Sequence, residues 1–308
     1  ACNFYMPIFE EALDAYGLPL ELRYLPIIES ALNPSAVSRA GASGLWQFMI
    51  GTGKIYGLES NSLVDERRDP IKATWAAARY LKEMYDIYGD WNLVIAAYNC
   101  GPGTINKAIR RANGETDYWK IYNYLPKETR GYVPAFIAAN YVMTYYCDHN
   151  ICPMETNIPA STDTVQVNKN LHFEQIADLC NVPLDQIKSL NPQYKKQMIP
   201  GDSKPYTLRL PIDAISTFID KQDTIYAHRA DELFRNRKTV AVKEITPSTR
   251  KTTAAVAGKG KLTYYTIKSG DTLSTIAGKY GVTIKDIQRW NGMSNTKIAA
   301  GKRLKIYK

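Results

Sequence analysis

The sequence lacks any long hydrophobic run. None of its 308 residues belongs to a stretch of about 18 consecutive apolar residues, so no membrane-spanning helix is predicted. Apolar residues make up 45% of the chain and charged residues 22%, which is typical of globular proteins and excludes a collagen-like or wholly disordered chain. At about 100–200 residues per domain, the length predicts two or three domains.

Histidine and cysteine are also scarce. The chain has 3 histidines and 5 cysteines, and no pair of cysteines has the spacing of a CxxC motif. A zinc site of this type needs four such ligands at close spacing, so we predict no metal site, and no motif indicates a cofactor. Cys147 and Cys152 are close enough in sequence to form a disulfide in an oxidising compartment. Two free thiols are the alternative, and the sequence leaves both open.

An excess of acidic residues is absent, and the basic residues are concentrated at one end. The net charge is +9, and residues 251–308 hold 12 Lys and Arg against 2 Asp and Glu, so the rest of the chain is close to neutral. Such a tail attracts acidic polymers or anionic surfaces. Nucleic acid is not a predicted partner, because no helix-turn-helix, finger or ribonucleoprotein motif accompanies the charge.

The first 150 residues have the apolar spacing of helices. The segments PIKATWAAARYLKEMYDIYG and WNLVIAAYN place apolar residues three and four apart, and Gly89 and Gly101 mark their ends. This pattern predicts a mainly α region. The region is also rich in Tyr and Trp, which suit either stacking on sugar faces or packing in a core.

One carboxylate falls on an apolar helix face. Leu22, Leu25, Glu29 and Leu32 have the spacing of one face of a single helix. A carboxylate among leucines loses hydration, which raises its pKa, and a carboxylic acid that stays protonated near neutral pH can protonate a glycosidic oxygen. The alternative is a buried glutamate that is satisfied by a structural partner.

The chain after residue 160 contains an internal repeat at an offset of about 100 residues. Ile176-Ala177 corresponds to Ile276-Ala277, and Asn191 corresponds to Asn291. The closing strands align after a four-residue insertion in the first copy. Between the copies, residues 213–242 have helical spacing, and a Thr-, Ala-, Gly- and Lys-rich stretch that reaches residue 260 indicates a flexible linker.

The second copy, YTIKSGDTLSTIAGKYGVTIKDIQRWNG followed by KIAAGKRLKIY, resembles a LysM domain. The resemblance implies a βααβ fold that binds glycans containing N-acetylglucosamine. It implies a glycan-binding role for Gly270, Asp271, Thr272, Leu273, Trp290 and Asn291. The first copy has Asn168-Lys169-Asn170-Leu171 in place of the Gly-Asp-Thr turn and resembles a degenerate LysM module, for which glycan binding and a purely structural role both stay open.

Four motifs in the first 150 residues support a second resemblance. Glu29-Ser30, AVSRAGASGLWQFM, AAYNCGPG and ETRGYVP occur in this order and resemble the lytic transglycosylase catalytic domain of glycoside hydrolase family 23. With LysM modules downstream, the chain is similar to the membrane-bound lytic murein transglycosylase D type. The resemblance implies a mainly α, lysozyme-like catalytic domain followed by two small α+β modules. The implied boundaries are 1–150 for the catalytic domain, 163–212 for the degenerate LysM-like module, 213–260 for the helical segment and linker, and 261–308 for the LysM domain.

The same resemblance assigns roles residue by residue. Glu29 matches the catalytic acid and base of the family. The positions that match substrate-binding or cleft residues are Ser38, Ser43, Gln47, Tyr98, Asn99, Glu128 and Tyr132. Asn99 could instead cap a helix end.

The function implied by the resemblance is cleavage of peptidoglycan glycan strands. The enzyme breaks the bond between N-acetylmuramic acid and N-acetylglucosamine without water and leaves a 1,6-anhydro end. The substrate implies a location in the periplasm or cell envelope. Relatives of this type are often lipoproteins, so Cys2 leaves open a membrane attachment through a lipid anchor.

Two rival hypotheses stay open. A muramidase on the same fold would hydrolyse the same bond and would need a second carboxylate or a well-held water, which Asp65, Glu66 or Asp69 could provide. A protein of another class would be a non-catalytic scaffold that only binds the cell wall.

Overall fold

The computed structural model describes residues 2–152, 158–159, 161–234, 262–268, 271–291, 293, 298–299 and 301–307. The chain divides into two compact units, residues 1–243 and 244–308. Within the described part, a mainly α region is followed by two small modules of helices and paired strands, which confirms the predicted fold class. The predicted flexible linker before residue 261 lies outside the described residues. Among the described helices, none is long and apolar enough to cross a bilayer.

The N-terminal region is built from helices around one core. The α-helices are α1 Cys2–Ala15, α2 Leu25–Ser30, α3 Ile50–Ile55, α4 Pro70–Tyr88, α5 Trp91–Cys100, α6 Pro102–Arg111, α7 Tyr118–Ile121 and α8 Lys127–Thr144. Short 3-10 helices cover Leu20–Tyr24, Glu66–Arg68 and Tyr122–Tyr124. The core that they enclose includes Tyr5, Phe9, Leu13, Trp46 and Leu81, all of which are at most 2% exposed.

The two helices with the clearest sequence pattern form as predicted. Asp69 caps α4 by accepting from the amides of Ile71 and Lys72, and Gly89 ends the helix in the left-handed conformation. Asp90 caps α5, which ends before Gly101. Short polar caps and glycine stops therefore set both helix ends, with the apolar faces turned into the core.

The single helix predicted around Glu29 is wrong. Leu20–Tyr24 is a 3-10 helix, α2 covers only Leu25–Ser30, and both Ala31 and Leu32 have left-handed backbone conformations. Pro34 follows closely and disfavours the helical conformation of the residue before it, Asn33. The helix therefore does not continue through this segment. Leu32 is still buried, at 8% exposure, but it reaches the core from a turn and not from the helix face.

The first LysM-like module begins at residue 162. Its strand β1 Thr162–Val167 pairs antiparallel with β4 Tyr206–Pro211, and the helices α9 Phe173–Cys180 and α10 Leu184–Leu190 lie between them in sequence. The module has an additional antiparallel pair, β2 Asn170–His172 with β3 Met198–Pro200, which the sequence did not predict. This pair forms where the Gly-Asp-Thr turn is replaced, and its second strand belongs to the segment that holds the insertion.

Three helices follow the first module, namely α11 Ile212–Asp220, α12 Gln222–Ala227 and α13 Ala230–Phe234. Phe218 and Ile225 are at most 1% exposed and belong to the core of the module. The prediction that the segment after residue 212 is helical and packs on a neighbour is therefore confirmed as far as residue 234.

The described residues of the second module repeat the strand–helix–helix–strand order. Its strand β5 Leu262–Thr266 pairs antiparallel with β6 Arg303–Tyr307, with α14 Leu273–Tyr280 and α15 Ile284–Asn291 between them in sequence. Its core contains Ile276, Ile287, Trp290 and Ile306.

The two modules share side-chain hydrogen bonds as well as backbone shape. Asn191 donates to the carbonyls of Ile187 and Arg209 and accepts from the Arg209 amide. Asn291 makes the same three bonds, to Ile287 and Lys305. Each asparagine thus joins the end of its helix to the closing strand, which gives a physical reason for its place in the repeat.

Candidate active site

Glu29 is in the last turn of α2 and is half-buried. The Tyr132 hydroxyl, from α8, donates a hydrogen bond to its carboxylate. Desolvation by burial raises the pKa of Glu29 to about 7, the charge of Glu128 acts in the same direction, and the Tyr132 hydrogen bond opposes both. Since the loss of hydration dominates, a large fraction of this carboxyl group is protonated at neutral pH.

Two tyrosines surround the carboxyl group. Burial and the nearby charge of Glu29 raise the pKa of Tyr98 and the pKa of Tyr132 well above the ordinary value, so both stay neutral donors at physiological pH. The Tyr98 hydroxyl donates to the backbone carbonyl of Trp46 at 2.6 Å. Tyr132 is therefore the side chain that touches the candidate acid, while Tyr98 connects α5 to the segment that precedes α3.

That segment, residues 36–48, is here called the cleft hairpin. It is folded by the bridges Val37 to Ser43 and Ser43 to Phe48. The Ser30 hydroxyl, next to Glu29 in sequence, donates to the carbonyl of Leu45 at 2.9 Å. These two hydrogen bonds fix the cleft hairpin to α2, which carries Glu29, and to α5, which carries Tyr98.

The three predicted residues of the cleft hairpin differ in exposure. Ser38 is exposed, and its hydroxyl accepts from the Ala42 amide at 3.0 Å. Ser43 is fully buried, and its hydroxyl accepts from Arg68 at 3.0 Å. The Gln47 amino group donates to the carbonyls of Ala36 and Gly44. In this structure Ser43 and Gln47 hold the hairpin together, and Ser38 is open to solvent.

Asn99 and Glu128 are both near the contact between α5 and α8. The Asn99 carbonyl oxygen accepts from the Thr129 hydroxyl at 2.8 Å, so its side chain joins α5 to α8 and does not cap the helix. Glu128 is exposed in the first turn of α8, one turn before Tyr132. The structure thus brings Glu29, Tyr98, Tyr132 and Glu128 together.

The three carboxylates proposed for a hydrolytic rival have structural partners. Asp65 is 1% exposed and forms a two-bond ion pair with Arg67 at 2.9 and 2.8 Å. Glu66 is 4% exposed, pairs with Lys72 and accepts from the Glu59 amide. Asp69 caps α4. Each group is engaged by cations or amides, which disfavours its use as a second catalytic carboxylate.

Sequence reasoning missed the arginines behind the cleft hairpin. Arg67 is 5% exposed and donates to the carbonyls of Gly41 and Phe48 at 2.8 and 2.9 Å. A Cβ at Gly44 would lie only 1.8 Å from the carbonyl oxygen of Arg67, so this glycine is required for close packing. The sequence signal that could have revealed this role is the pair Arg67-Arg68, which directly precedes Asp69, the cap of α4.

The aromatic residues near the site serve partly as core. Tyr80 and Tyr98 lie 5.6 Å apart between ring centroids, and Phe48 lies 6.5 Å from Tyr98. Tyr80 and Tyr98 are half-buried and Phe48 is buried. Trp119 and Tyr122 stack on each other at 6.3 Å, and Trp119 is 55% exposed, so surface rings are also present.

The residues predicted for glycan binding in the second module have mixed positions. Asp271 accepts from the Tyr265 hydroxyl and the Lys268 amide, both at 2.8 Å, and Thr272 caps α14. Leu273 and Trp290 are buried in the core, at 2% and 6% exposure. Asn291 joins α15 to β6 as described above. Gly270 lies outside the described residues.

The described residues contain no group of three or more His, Cys, Asp or Glu side chains arranged to hold a metal ion. Cys147 and Cys152 are exposed free thiols in this structure, and the other three cysteines are also unbonded.

Comparisons with known families agree with this architecture. The profile of the Transglycosylase SLT domain matches residues 6–121. The profile described as "Lytic transglycosylase MltD, LysM-like domain" matches residues 161–227, and the LysM domain profile matches residues 265–306. The chain therefore contains an SLT domain followed by LysM-like modules, which confirms the predicted resemblance.

Individual relatives refine this. The chain is 33% identical over 294 residues to the membrane-bound lytic murein transglycosylase D of Escherichia coli K12, which covers 94% of this chain and 60% of that protein. It is 33% identical over 124 residues to the soluble lytic murein transglycosylase of the same strain, which covers 38% of this chain and 19% of the relative. Among solved structures, the 70 kDa soluble lytic transglycosylase of Escherichia coli matches 46% of this chain and 24% of its own, at 29% identity and a TM-score of 0.40.

Proposed function

We propose that the chain is a peptidoglycan lytic transglycosylase. It cleaves the β-1,4 bond between N-acetylmuramic acid and N-acetylglucosamine and leaves a 1,6-anhydro-N-acetylmuramic acid end. The observation that carries this proposal is Glu29, a desolvated carboxyl group with a pKa near 7 that is held by Tyr132 in an SLT domain. The relative with the longest match described above bears the name of a lytic murein transglycosylase.

The chemistry begins with a proton transfer from Glu29. A carboxyl group with a pKa near the working pH is protonated often enough to act and loses its proton readily, so it is suited to general acid catalysis. It protonates the glycosidic oxygen, and an oxocarbenium-like centre develops at C1 of the N-acetylmuramic acid. The Tyr132 hydroxyl then stabilises the carboxylate that remains on Glu29.

The second half of the reaction needs no second carboxylate. Glu29, now ionised, removes the proton from the C6 hydroxyl of the same sugar, and that oxygen attacks C1 to close the anhydro ring. An intramolecular nucleophile is already positioned, which removes much of the entropic cost of a bimolecular step. The structural engagement of Asp65, Glu66 and Asp69 supports this path over water-dependent hydrolysis.

The remaining site residues are assigned within the same proposal. Tyr132 is the contact of the acid, and Glu128 contributes charge at the cleft. Ser38, Gln47, Tyr98 and Asn99 are proposed to line the glycan groove, and the buried Ser43 is proposed to support it from inside the cleft hairpin. The catalytic domain covers residues 1–150, with the LysM-like module at 163–212, the helical segment and linker at 213–260, and the LysM domain at 261–308.

The test is mass spectrometry of the products that the chain releases from purified peptidoglycan. Wild type should release muropeptides that are one water lighter than reducing muropeptides, and Glu29→Gln should release none. Glu66→Gln serves as the matched carboxylate control and should give the same anhydro products as wild type. Reducing ends that depend on Glu29 would point to a muramidase instead. An inactive wild type with retained binding would point to a scaffold.

The second LysM module targets the enzyme to the wall. Linking a glycan-binding module to a catalytic domain raises the local concentration of the enzyme on an insoluble polymer. The basic residues of 251–308 add attraction to an anionic wall that weakens with salt. The substrate places the protein in the periplasm or cell envelope, and Cys2 leaves a lipid anchor as a further hypothesis.

Removal of residues 251–308 tests the targeting. The shortened protein should lose more activity on insoluble wall than on short soluble glycan. Equal loss on both substrates would contradict the targeting role.

A further inference from the structure

The first LysM-like module shares its core with the catalytic region. Leu63 and Val64 come from the loop before α4, yet they are 3% and 0% exposed within the cluster that contains Phe173, Ile187 and Tyr194. Each buried aliphatic side chain of this size contributes about 1.5–3 kcal/mol relative to exposure. The module is therefore an integral part of this unit.

Backbone pairing strengthens the contact. Val64 forms an antiparallel bridge with Tyr194, the Asp65 amide donates to the Gln193 carbonyl at 2.9 Å, and the Lys195 amide donates to the Leu63 carbonyl at 2.8 Å. The segment 193–195 directly follows the Asn191 that ends α10. A short segment of the module thus pairs with the loop of the catalytic region through one isolated bridge and two backbone hydrogen bonds.

Side chains continue the contact at both ends of this pairing. The Lys195 ammonium donates to the Asn61 carbonyl at 2.8 Å and lies 3.7 Å from the Asp65 carboxylate. At the other end, Lys204 forms an ion pair with Glu59 at 2.7 Å, and the Tyr206 hydroxyl donates to the same carboxylate. Two cations of the module therefore face two acids of the catalytic region.

The Asp65 carboxylate connects Lys195 to the Arg67 guanidinium, which in turn bonds the cleft hairpin. It holds the Arg67 guanidinium through two bonds, and the other terminal nitrogen of Arg67 donates to the carbonyls of Gly41 and Phe48. These two carbonyls lie near the turn and at the end of the hairpin. Arg68 adds a bond to the Ser43 hydroxyl. A continuous set of polar contacts runs from Lys195 through Asp65 and Arg67 to the cleft hairpin, which Ser30 and Tyr98 join to α2 and α5.

We propose that the first LysM-like module positions the catalytic cleft, with Lys195 and Arg67 as positioning residues that fix the cleft hairpin through Asp65. The statement about the cleft rests on the proposed function. The segment after α10 is the part of the module that contacts the catalytic region.

The experiment uses the full chain and three substitutions at one position. Lys195→Arg keeps the cation, Lys195→Met removes it, and Lys195→Glu places a second acid beside Asp65. The matched control is Lys188→Met, which removes a lysine of the same module that pairs with a surface acid, Asp185, of its own helix. Hydrogen exchange followed by mass spectrometry measures the amides of residues 36–48, and peptides from α4 report general stability.

The expected result is graded. Exchange at the Ser43 and Gly44 amides, which bond to Phe48 and Ala36, should be about tenfold faster in Lys195→Met and faster still in Lys195→Glu. Lys195→Arg and Lys188→Met should stay within about twofold of wild type. Peptides from α4 should not change in any variant that folds.

Kinetics on short soluble glycan adds a readout that a purely structural role would not move. In Lys195→Met, KM should rise by about three- to tenfold, while kcat and the midpoint of the pH profile change little, because Glu29 is untouched. Lys195→Arg should restore KM.

Two results would overturn the inference. One is unchanged exchange in residues 36–48 of a folded Lys195→Glu protein. The other is an equal rise in exchange across α4 and the hairpin, which would indicate general destabilisation. An inactive wild type would refute the proposed function alone, because the exchange measurement needs no turnover.

Discussion

The two LysM-like modules have the same βααβ core but use it differently. Each joins its second helix to the closing strand through one asparagine, Asn191 or Asn291, and each caps its first helix at an equivalent position, His172 or Thr272. The first module also contains the β2–β3 pair, and its segment after Asn191 forms an isolated bridge with the catalytic region. A repeated fold can thus keep its internal bonds while its loops acquire a new partner.

The largest expected effect comes from a change at the contact between the first module and the catalytic region. Asp65→Ala leaves the Arg67 guanidinium buried without its counter-ion, and removal of one partner of such a pair costs about 3–5 kcal/mol. Urea unfolding should show this loss in the transition of residues 1–243. The transition of the second module should not move, and a shift in both would contradict the separation of the two units.

The next effect concerns the additional strand pair. A Cβ on Gly201 would lie 2.2 Å from the Lys169 carbonyl oxygen, so Gly201→Ala must push β2 and β3 apart. Overpacking of this kind costs about 1–3 kcal/mol. Thermal unfolding of the full chain measures the loss. Gly278→Ala, where nothing lies within 4 Å of the added atom, is the matched control in the second module.

The paired asparagines allow the two copies to be compared directly. Asn191 is 1% exposed, and Asn191→Ala leaves the backbone groups of Ile187 and Arg209 without their partner, at a cost of about 2–3 kcal/mol. Asn291 is half-buried, so water can replace part of what Asn291→Ala removes, and the loss should be about 1 kcal/mol. Chemical denaturation of both variants checks the order, and equal losses would show that burial does not separate the copies.

The smallest effect concerns the cap of the second module. The Thr272 hydroxyl accepts from the Thr275 amide at 3.2 Å, and loss of such a cap costs about 1 kcal/mol. Thr272→Ala should lower the stability of the second module by this amount, and Thr272→Ser should restore it. Thr272 was also predicted to bind glycan, so a glycan titration of the same two variants separates the cap from a binding role.

The sequence predicted the features that repeat or obey a period. The helices α4 and α5, the two-copy arrangement and the raised pKa of Glu29 all follow from local spacing, caps and motifs. These signals lie within a few residues of the element that they define, which is why they can be recognised without a structure.

What escaped prediction depends on partners that are distant in sequence. Val64 pairs with Tyr194, 130 residues later in the chain, and neither segment contains a sequence pattern that predicts this pairing. Arg67 finds its carbonyl partners 19 and 26 residues earlier in the chain. The helix around Glu29 was extended too far because the apolar period continued to Leu32, while the chain itself turns at Ala31.

The pKa of Glu29 tests most directly whether burial prepares this residue as the catalytic acid. Desolvation raises this pKa from 4.5 to about 7. Between pH 4.5 and pH 7, Glu29 therefore keeps its proton in the native protein and has lost it in the unfolded chain. This carboxyl group therefore destabilises the fold as the pH rises from 4.5 to 7, by up to about 3 kcal/mol, and Glu29→Gln should be more stable than wild type by up to that amount above pH 7.

The measurement is a carbon-13 NMR titration of the glutamate carboxyl groups, with the Glu29 signal assigned by its absence in Glu29→Gln. Burial of Glu29 predicts a midpoint near 7 for this one signal. A midpoint near the ordinary glutamate value of about 4.3 would contradict the claim that burial prepares Glu29 as the acid.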